Sequence, residues 1–440
     1  MRSLFTITAL LFISGCFLHS AEHSPKPSVP LPEAFEHVES QQLKADEKGW
    51  WLAFEDGQLN TLMEQLFKDN LDMKAAFARL KQMQAVKSQA WASLWPQLSL
   101  ESQASQQHNP NFFGTGQEFD TTNFSVQGGV SYEVDLWGKL GAHGKASVME
   151  AGASRDQLEA LAMSLSAHLA QGWYSYQAQR SMQTLLEEQL ETNETFYELV
   201  ELRYQQGLVP AYDLYQQEQQ VAAARARLAQ GRMSLQQVRN QLLVLLGSHD
   251  KTLLNAAEKS LPELKAMPAV GLPVALLDQR PDVRAARKAV VAADERVVVA
   301  LANLFPTLRF SAGVGFTATS LPELFNDMLW SVLGSLTQPL FAGGRLRADL
   351  KRAKALVDER IATFGQTVLE AYYEVDNALV REKEQAIYVQ EVVLQEKAAK
   401  AALDEVRERY LQGLSDFLPV LSTLKSHQAA QRQRVEAMRQ

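Results

Sequence analysis

One cysteine, Cys16, stands in a chain of 440 residues. A lone thiol closes no internal disulfide, so it acts either as a nucleophile or as an inert core side chain. Its setting favours the nucleophile. Met1-Arg2 precedes an apolar stretch from Leu4 to Ile13 of about ten residues, which has the length and charge order of a secretory signal and is too short to cross a bilayer. A core cysteine has no reason to follow such a stretch directly. Other reactive constellations are missing from the sequence. The eight histidines form no His-Glu-x-x-His or similar metal spacing. Gly343-Gly344-Arg345 lacks the frame of a phosphate-binding loop, and there is no Gly-x-Ser-x-Gly elbow. The sequence predicts no enzyme, no metal site and no cofactor beyond what Cys16 itself carries.

Ile13-Ser14-Gly15-Cys16 resembles the lipobox of bacterial lipoproteins, in which small residues admit the peptidase and the thiol receives a diacylglycerol. Residues 1–15 then form the signal peptide, and Cys16 carries a covalent lipid. Phe17 occupies the place where many such lipoproteins carry an inner-membrane retention Asp, so the resemblance implies sorting to the outer membrane. Residues 16–48 are expected to be a lipidated tether and N-terminal segment, extended through Pro25, Pro27, Pro30 and Pro32. A net charge of -8 argues against a nucleic-acid partner. No later apolar run reaches the ~18 residues of a spanning helix, so any passage through a membrane must use strands.

The elements behind Cys16 come in two copies. Leu71-Asp72-Met73-Lys74-Ala75-Ala76 is echoed by Pro281-Asp282-Val283-Arg284-Ala285-Ala286, and Leu94-Trp95-Pro96-Gln97-Leu98 by Leu304-Phe305-Pro306-Thr307-Leu308 at the same offset. Gly138-Lys139-Leu140 matches Gly344-Arg345-Leu346, and Arg203-Tyr204-Gln205-Gln206-Gly207-Leu208 matches Arg409-Tyr410-Leu411-Gln412-Gly413-Leu414, at a slightly shorter offset. The difference falls in the loop from Asn109 to Gln117. Each copy reads as helix, two strands, a very long helix and a shorter returning helix. The first repeat spans 49–250, with strands near 97–108 and 122–136 and a long helix near 141–206. A linker covers 251–280. The second repeat spans 281–440, with strands near 307–319 and 327–340 and a long helix near 346–412. Each long helix is proline-free and would run to about 100 Å. Gly207 and Gly413 are placed as left-handed C-cap residues, Leu208 and Leu414 as their apolar companions, and Pro210 and Pro419 as the stops beyond.

Ahead of each long helix the apolar period changes to two. Phe124, Val126, Gly128, Val130, Tyr132, Val134 and Leu136 alternate with Ser125, Gln127, Ser131, Glu133 and Asp135. The same alternation runs through Leu98, Leu100, Ser102 and Ala104, through Leu308 to Ala318, and through Met328 to Leu336. Strands of this length and pattern suit a tilted outer-membrane barrel with one face to lipid and one to water. Four strands close no barrel and an open edge is not tolerated in lipid, so several chains must combine. Two, three or four chains would give eight, twelve or sixteen strands, and the arithmetic alone does not choose.

This plan, with Tyr132-Glu133-Val134-Asp135-Leu136-Trp137-Gly138-Lys139, Gln338-Pro339-Leu340-Phe341-Ala342-Gly343-Gly344-Arg345 and Gln279-Arg280-Pro281-Asp282-Val283, resembles the TolC-like outer-membrane efflux proteins. The likeness is to their lipoprotein, NodT/OprM-like branch paired with RND pumps. The resemblance implies a mostly α fold with transmembrane β: a homotrimer whose α-barrel joins a twelve-stranded β-barrel, with 251–280 in an equatorial belt. It further implies a passive exit duct for drugs, toxic organics or metal ions, working with a periplasmic adaptor and an inner-membrane pump. The periplasmic gate and adaptor contact would then lie at Arg203, Tyr204, Gly207 and Asp213 and at Arg409, Tyr410, Gly413, Asp416 and Leu418. Arg and Tyr there would tie helices by hydrogen bonds, with Leu418 as an apolar ring and Arg409 offsetting the carboxylates. A polypeptide duct of a type I secretion system is the alternative on the same fold. A coiled-coil envelope spacer would need no alternating strands.

Overall fold

The computed structural model describes residues 25–26, 30, 32, 49–109, 119–254 and 273–440. The signal peptide, Cys16, most of the tether, residues 110–118 and much of the 251–280 linker lie outside the described residues. The chain folds into two units, which divide both repeats.

The first unit contains Phe77–Leu158 and Leu277–Glu370. Its sheet is built from β1 (Gln97–Asn109), β2 (Phe119–Val134), β3 (Thr307–Ala318) and β4 (Met328–Thr337), all antiparallel in the order β1-β2-β3-β4. Each strand is joined by a short connection to a helix. The helices α2 (Leu71–Ala92), α3 (Lys139–Gln205), α5 (Pro281–Ala302) and α6 (Arg345–Leu411) attach to β1, β2, β3 and β4 respectively. The register puts the alternation of all four strands in phase. Leu98 pairs with Val130, Val130 with Ala312 and Ala312 with Val332; Leu100, Gly128, Val314 and Trp330 form the next row. Directly opposed residues share a face, so one side is mostly apolar, with polar pairs such as His108 and Asp120 at the far end of β1 and β2. The other carries rows such as Ser99, Gly129, Gly313 and Ser331. The apolar side is not covered by the chain: Leu98 is 83% and Trp330 74% exposed.

β1 and the start of β2 reach slightly farther than the alternation predicts, whereas β2, β3 and β4 end earlier. β2 stops at Val134 because Asp135 turns out of the sheet to accept from the Leu140 and Gly141 amides at 2.9 and 2.8 Å, capping α3. Leu136 is therefore not a strand residue. Gly138, at φ 70°, makes that turn. β4 stops at Thr337, ahead of Pro339. Trp137 donates to the Pro306 carbonyl at 2.7 Å and packs on Phe305, which ties the first copy's motif to the second copy's turn. Farther along, Asp156 is buried on α3 and receives Lys288 at 2.5 Å and Arg284 at 3.4 Å from α5. Gln279 to Val283 is the start of α5, where Pro281 takes the first helical position and Arg280 and Asp282 form a two-pronged ion pair.

The second unit contains Leu31–Ala76, Glu159–Leu276 and Ala371–Gln440. Here α1 (Gly57–Asp69), the later part of α3, α4 (Ala211–Leu245), the later part of α6 and α7 (Phe417–Arg439) pack together. Its core joins Leu59, Leu62, Met63 and Leu66 to Leu169, Trp173, Leu242 and Leu246. Asp56 caps α1 and also accepts from the Trp173 indole at 2.8 Å. Between this core and the helix ends, buried amides bridge the helices. Gln189 donates to the Gln428 carbonyl at 3.1 Å and Gln217 to the Asn193 carbonyl at 2.8 Å.

The two long helices are 67 residues each, about 100 Å at helical rise. Both end as their glycines predict. Gly207 (φ 71°) and Gly413 (φ 74°) donate to the Tyr204 and Tyr410 carbonyls, and Leu208 and Leu414 to those of Arg203 and Arg409, which is the Schellman pattern. Two details differ from the sequence reading. Leu208 and Leu414 stay exposed and make no buried apolar contact. Pro419 stops nothing: it lies in the first turn of α7, where its missing N–H has no helical partner to lose, and Gly413 alone ends α6. Gly247 repeats the motif after α4 with φ 63°, but a Cβ there would lie 2.5 Å from the Asp69 carbonyl oxygen, whereas at Gly207 it would meet open space. Gly207→Ala should therefore cost about 1 kcal/mol from backbone conformation alone, and Gly247→Ala roughly 3 kcal/mol once the clash is added. Equal losses in a urea titration followed by far-ultraviolet circular dichroism would contradict this difference.

Candidate functional site

The residues singled out in the sequence meet at the far ends of the long helices, all within the second unit. Tyr410, in the last turn of α6, is buried in a small cluster with Val200, Phe417, Val420 and Leu421. Its ring packs against Phe417 at 5.8 Å between centroids. Above it lies the Arg203 guanidinium from α3, 4.3 Å from the ring centre. The two copies of the Arg-Tyr motif thus interlock, the Arg of the first on the Tyr of the second. The contact is of the cation–π kind, which the quadrupole of a phenol ring makes favourable by about 0.5 to 2 kcal/mol. It replaces the hydrogen bond predicted for these residues, because the Tyr410 hydroxyl is buried without a hydrogen-bond partner. An Arg near a helix C-terminus also suits the helix dipole.

The other site residues are distributed around this contact. Asp416 is the N-cap residue of α7, though its side chain caps nothing. Asp213 lies in the first turn of α4, and burial followed by the charge of Asp416 raises its pKa. The two carboxylates therefore feel each other. Arg409 is exposed, and the cation that the fold packs into this end is Arg203. Tyr204 and Leu418 are exposed as well, along with Leu208, Leu411, Leu414, Tyr212 and Tyr215. Tyr212 and Tyr215 were missed in the sequence; their spacing on the first turn of α4 was the available signal. Among the described residues no group of His, Cys, Asp or Glu could hold a metal ion, and no helix is long and apolar enough to cross a membrane.

A sheet with one bare apolar face, carried on helices of this length and repeated twice, defines a membrane-channel class, and comparison with known proteins agrees. The sequence profile of the family described as outer membrane efflux protein matches residues 62–248 and 272–440. The chain is 29% identical to the pyoverdine export outer membrane protein OpmQ of Pseudomonas aeruginosa, covering 98% of this chain and 92% of that one. It is 26% identical to the cation efflux system protein CusC of Escherichia coli, covering 94% and 91%. The crystal structure of the outer membrane protein VceC from Vibrio cholerae superposes with a TM-score of 0.80 at 26% identity, covering 89% of this chain and 95% of that one. The chain belongs to the outer membrane efflux protein family. It is an outer-membrane channel component of efflux, extending into the periplasm.

Two outcomes are expected at this end of the molecule. A double-mutant cycle of Arg203→Gln and Tyr410→Leu should show coupling of about 1 kcal/mol, whereas Tyr410→Phe should be neutral or slightly stabilising because it removes an unpartnered hydroxyl. Zero coupling would mean that the ring and the guanidinium are neighbours only. The second outcome concerns Asp213. Its folded pKa lies above its unfolded value, so its contribution to stability is complete below about pH 4 and is lost as pH rises through the raised value. Asp213→Asn should remove that loss, so the variant's melting temperature should gain on wild type as pH rises above about 4. A difference that does not change with pH would rule the raised pKa out.

Proposed function

We propose that the chain is the outer-membrane subunit of a tripartite efflux system, a passive exit duct for small molecules. The observation that carries this is the four-stranded sheet with one apolar face and unpaired outer edges on β1 and β4. Backbone groups at those edges need partners in lipid, and β1 of one copy pairing with β4 of the next supplies them. Three copies then give twelve strands, enough to surround an open bore, and twelve helix segments continue the wall through the periplasm. A diacylglycerol on Cys16 holds each copy to the membrane as well.

The turns at Gly207 and Gly413 form the periplasmic mouth. There the Arg203–Tyr410 contact fastens the two copies of the repeat, while Leu418, Leu414 and Leu208 offer an apolar rim to an adaptor or to one another. Asp213 and Asp416 set the charge beside that rim. An adaptor that draws the turns apart must break the Arg203 contact, and the chain itself holds no energy source, so the driving force belongs to an inner-membrane pump. Small molecules as cargo agree with the names of relatives: pyoverdine export for one, and toluene efflux for a protein of Pseudomonas putida.

Val314→Arg places a charge on the apolar face and should cost about 2 to 4 kcal/mol near the bilayer midplane, whereas Ser131→Arg on the polar face should cost much less. Light scattering and planar-bilayer recording of the purified proteins check both parts. Wild type and Ser131→Arg should be trimers that conduct, and Val314→Arg should fail to insert. A monomeric wild-type protein, or equal insertion of both variants, overturns the barrel.

A further inference from the structure

A cavity of about 700 Å³ opens in the sheet-bearing unit, lined by α2, α3, α5 and α6 together. Each of these helices continues from one strand of the sheet. Their strands lie side by side in one sheet, so the helices set out as a row, and a cavity shared by all four is assigned to the concave side of that row. In the closed tunnel proposed above that side is the bore, and the inference rests on that reading.

The charged groups lining the cavity are Arg79, Arg296, Arg352 and Arg360, with Glu150 and Asp349. Both carboxylates are occupied. Arg296 holds Glu150 through two bonds of 3.0 and 3.1 Å, and Arg345 reaches Asp349 at 3.4 Å. Among the described residues no carboxylate lies within ion-pair distance of Arg79, Arg352 or Arg360. Arg79 comes from α2 and the other two from α6, the helices on the two outer strands. Three guanidinium groups therefore converge on one space in a protein of net charge -8. Between them the wall is apolar, with Met83, Ala292 and Leu356 among its residues.

We propose that this cavity is a transit site for amphiphilic organic anions. The planar guanidinium fork binds carboxylate or sulfonate oxygens by paired, charge-assisted hydrogen bonds. The alanine-rich wall receives the apolar body, and the volume suits a molecule of drug size. Threefold repetition turns the site into a belt of arginines, the arrangement by which pores favour anions. Each guanidinium is solvated and reached from the bore, so binding is weak enough for the anion to leave again.

Pyranine, a pyrene trisulfonate, is the probe. Its fluorescence anisotropy with purified trimers should report saturable binding that citrate displaces and that weakens about tenfold between roughly 50 and 200 mM salt. Arg79→Gln/Arg352→Gln/Arg360→Gln should bind it about tenfold less tightly or worse. Rhodamine 6G, a cationic dye of similar size, should not compete. Where the triple variant fails to assemble, Arg352→Gln/Arg360→Gln together with the wild-type salt and citrate series decides the matter. Equal affinity in wild type and variant, or no saturable binding to wild type, overturns the anion site. Planar-bilayer conductance of the same preparations separates the two levels: trimers that conduct but bind no pyranine reject the site alone, and protein that neither trimerises nor conducts rejects the channel beneath it.

Discussion

Peptide groups in a hydrocarbon layer find no water, and each one left unpaired costs several kcal/mol. That requirement governs the rest of this molecule. Inside the sheet it is met along full ladders, from Gln97 opposite Ser131 through to Thr307 opposite Thr337. At the outer edges of β1 and β4 it is not met by a single chain. In the proposed assembly the apolar face meets lipid, further copies pair with the bare edges, and the closed ring creates an interior. The proposed trimer, its bore and the positions of the mouth and the arginine belt all descend from those two edges.

The helices answer a different demand, that of reach. A continuous apolar stripe along a helix of 67 residues would have to wind around it or force a supercoil. The chain changes its packing partners along the way instead. In the sheet-bearing unit the long helix α3 meets α5 through ion pairs at Glu150 and Asp156, and on its other side Gly144 lets Trp91 of α2 approach closely. In the other unit it is held by an apolar core around Trp173, then by the Gln189 amide on the Gln428 carbonyl and the Gln217 amide on the Asn193 carbonyl, and last by the Arg203 contact. Buried amides fix axial register better than interchangeable leucines, since a slip of one turn leaves their polar atoms unpaired. The cost is visible at Tyr410, whose hydroxyl lies buried without a partner beneath Arg203. A contact made of a ring and a guanidinium can part without stranding a new polar atom, which suits a place where helices separate.

Much of this was determined by sequence alone, for a local reason. Strand faces follow from a period of two, so Val130, Val314 and Trp330 reveal their side wherever the strand lies. Helix ends follow from backbone conformation, which Gly207 and Gly413 need and other residues resist. Duplication is an equally local pattern, while the expected signal peptide and lipobox, with Cys16, lie outside the described residues. The tertiary structure decided what joins residues far apart in the chain. Arg203 sits on Tyr410 instead of beside its own neighbour Tyr204, Asp135 caps a helix instead of ending a strand, and Arg79 shares a cavity with Arg352 and Arg360. A helix offers side chains in every direction, so its sequence records which residues are present and not which of them its neighbours will face. That choice is made by packing, where desolvation, charge and shape are settled between elements hundreds of residues apart.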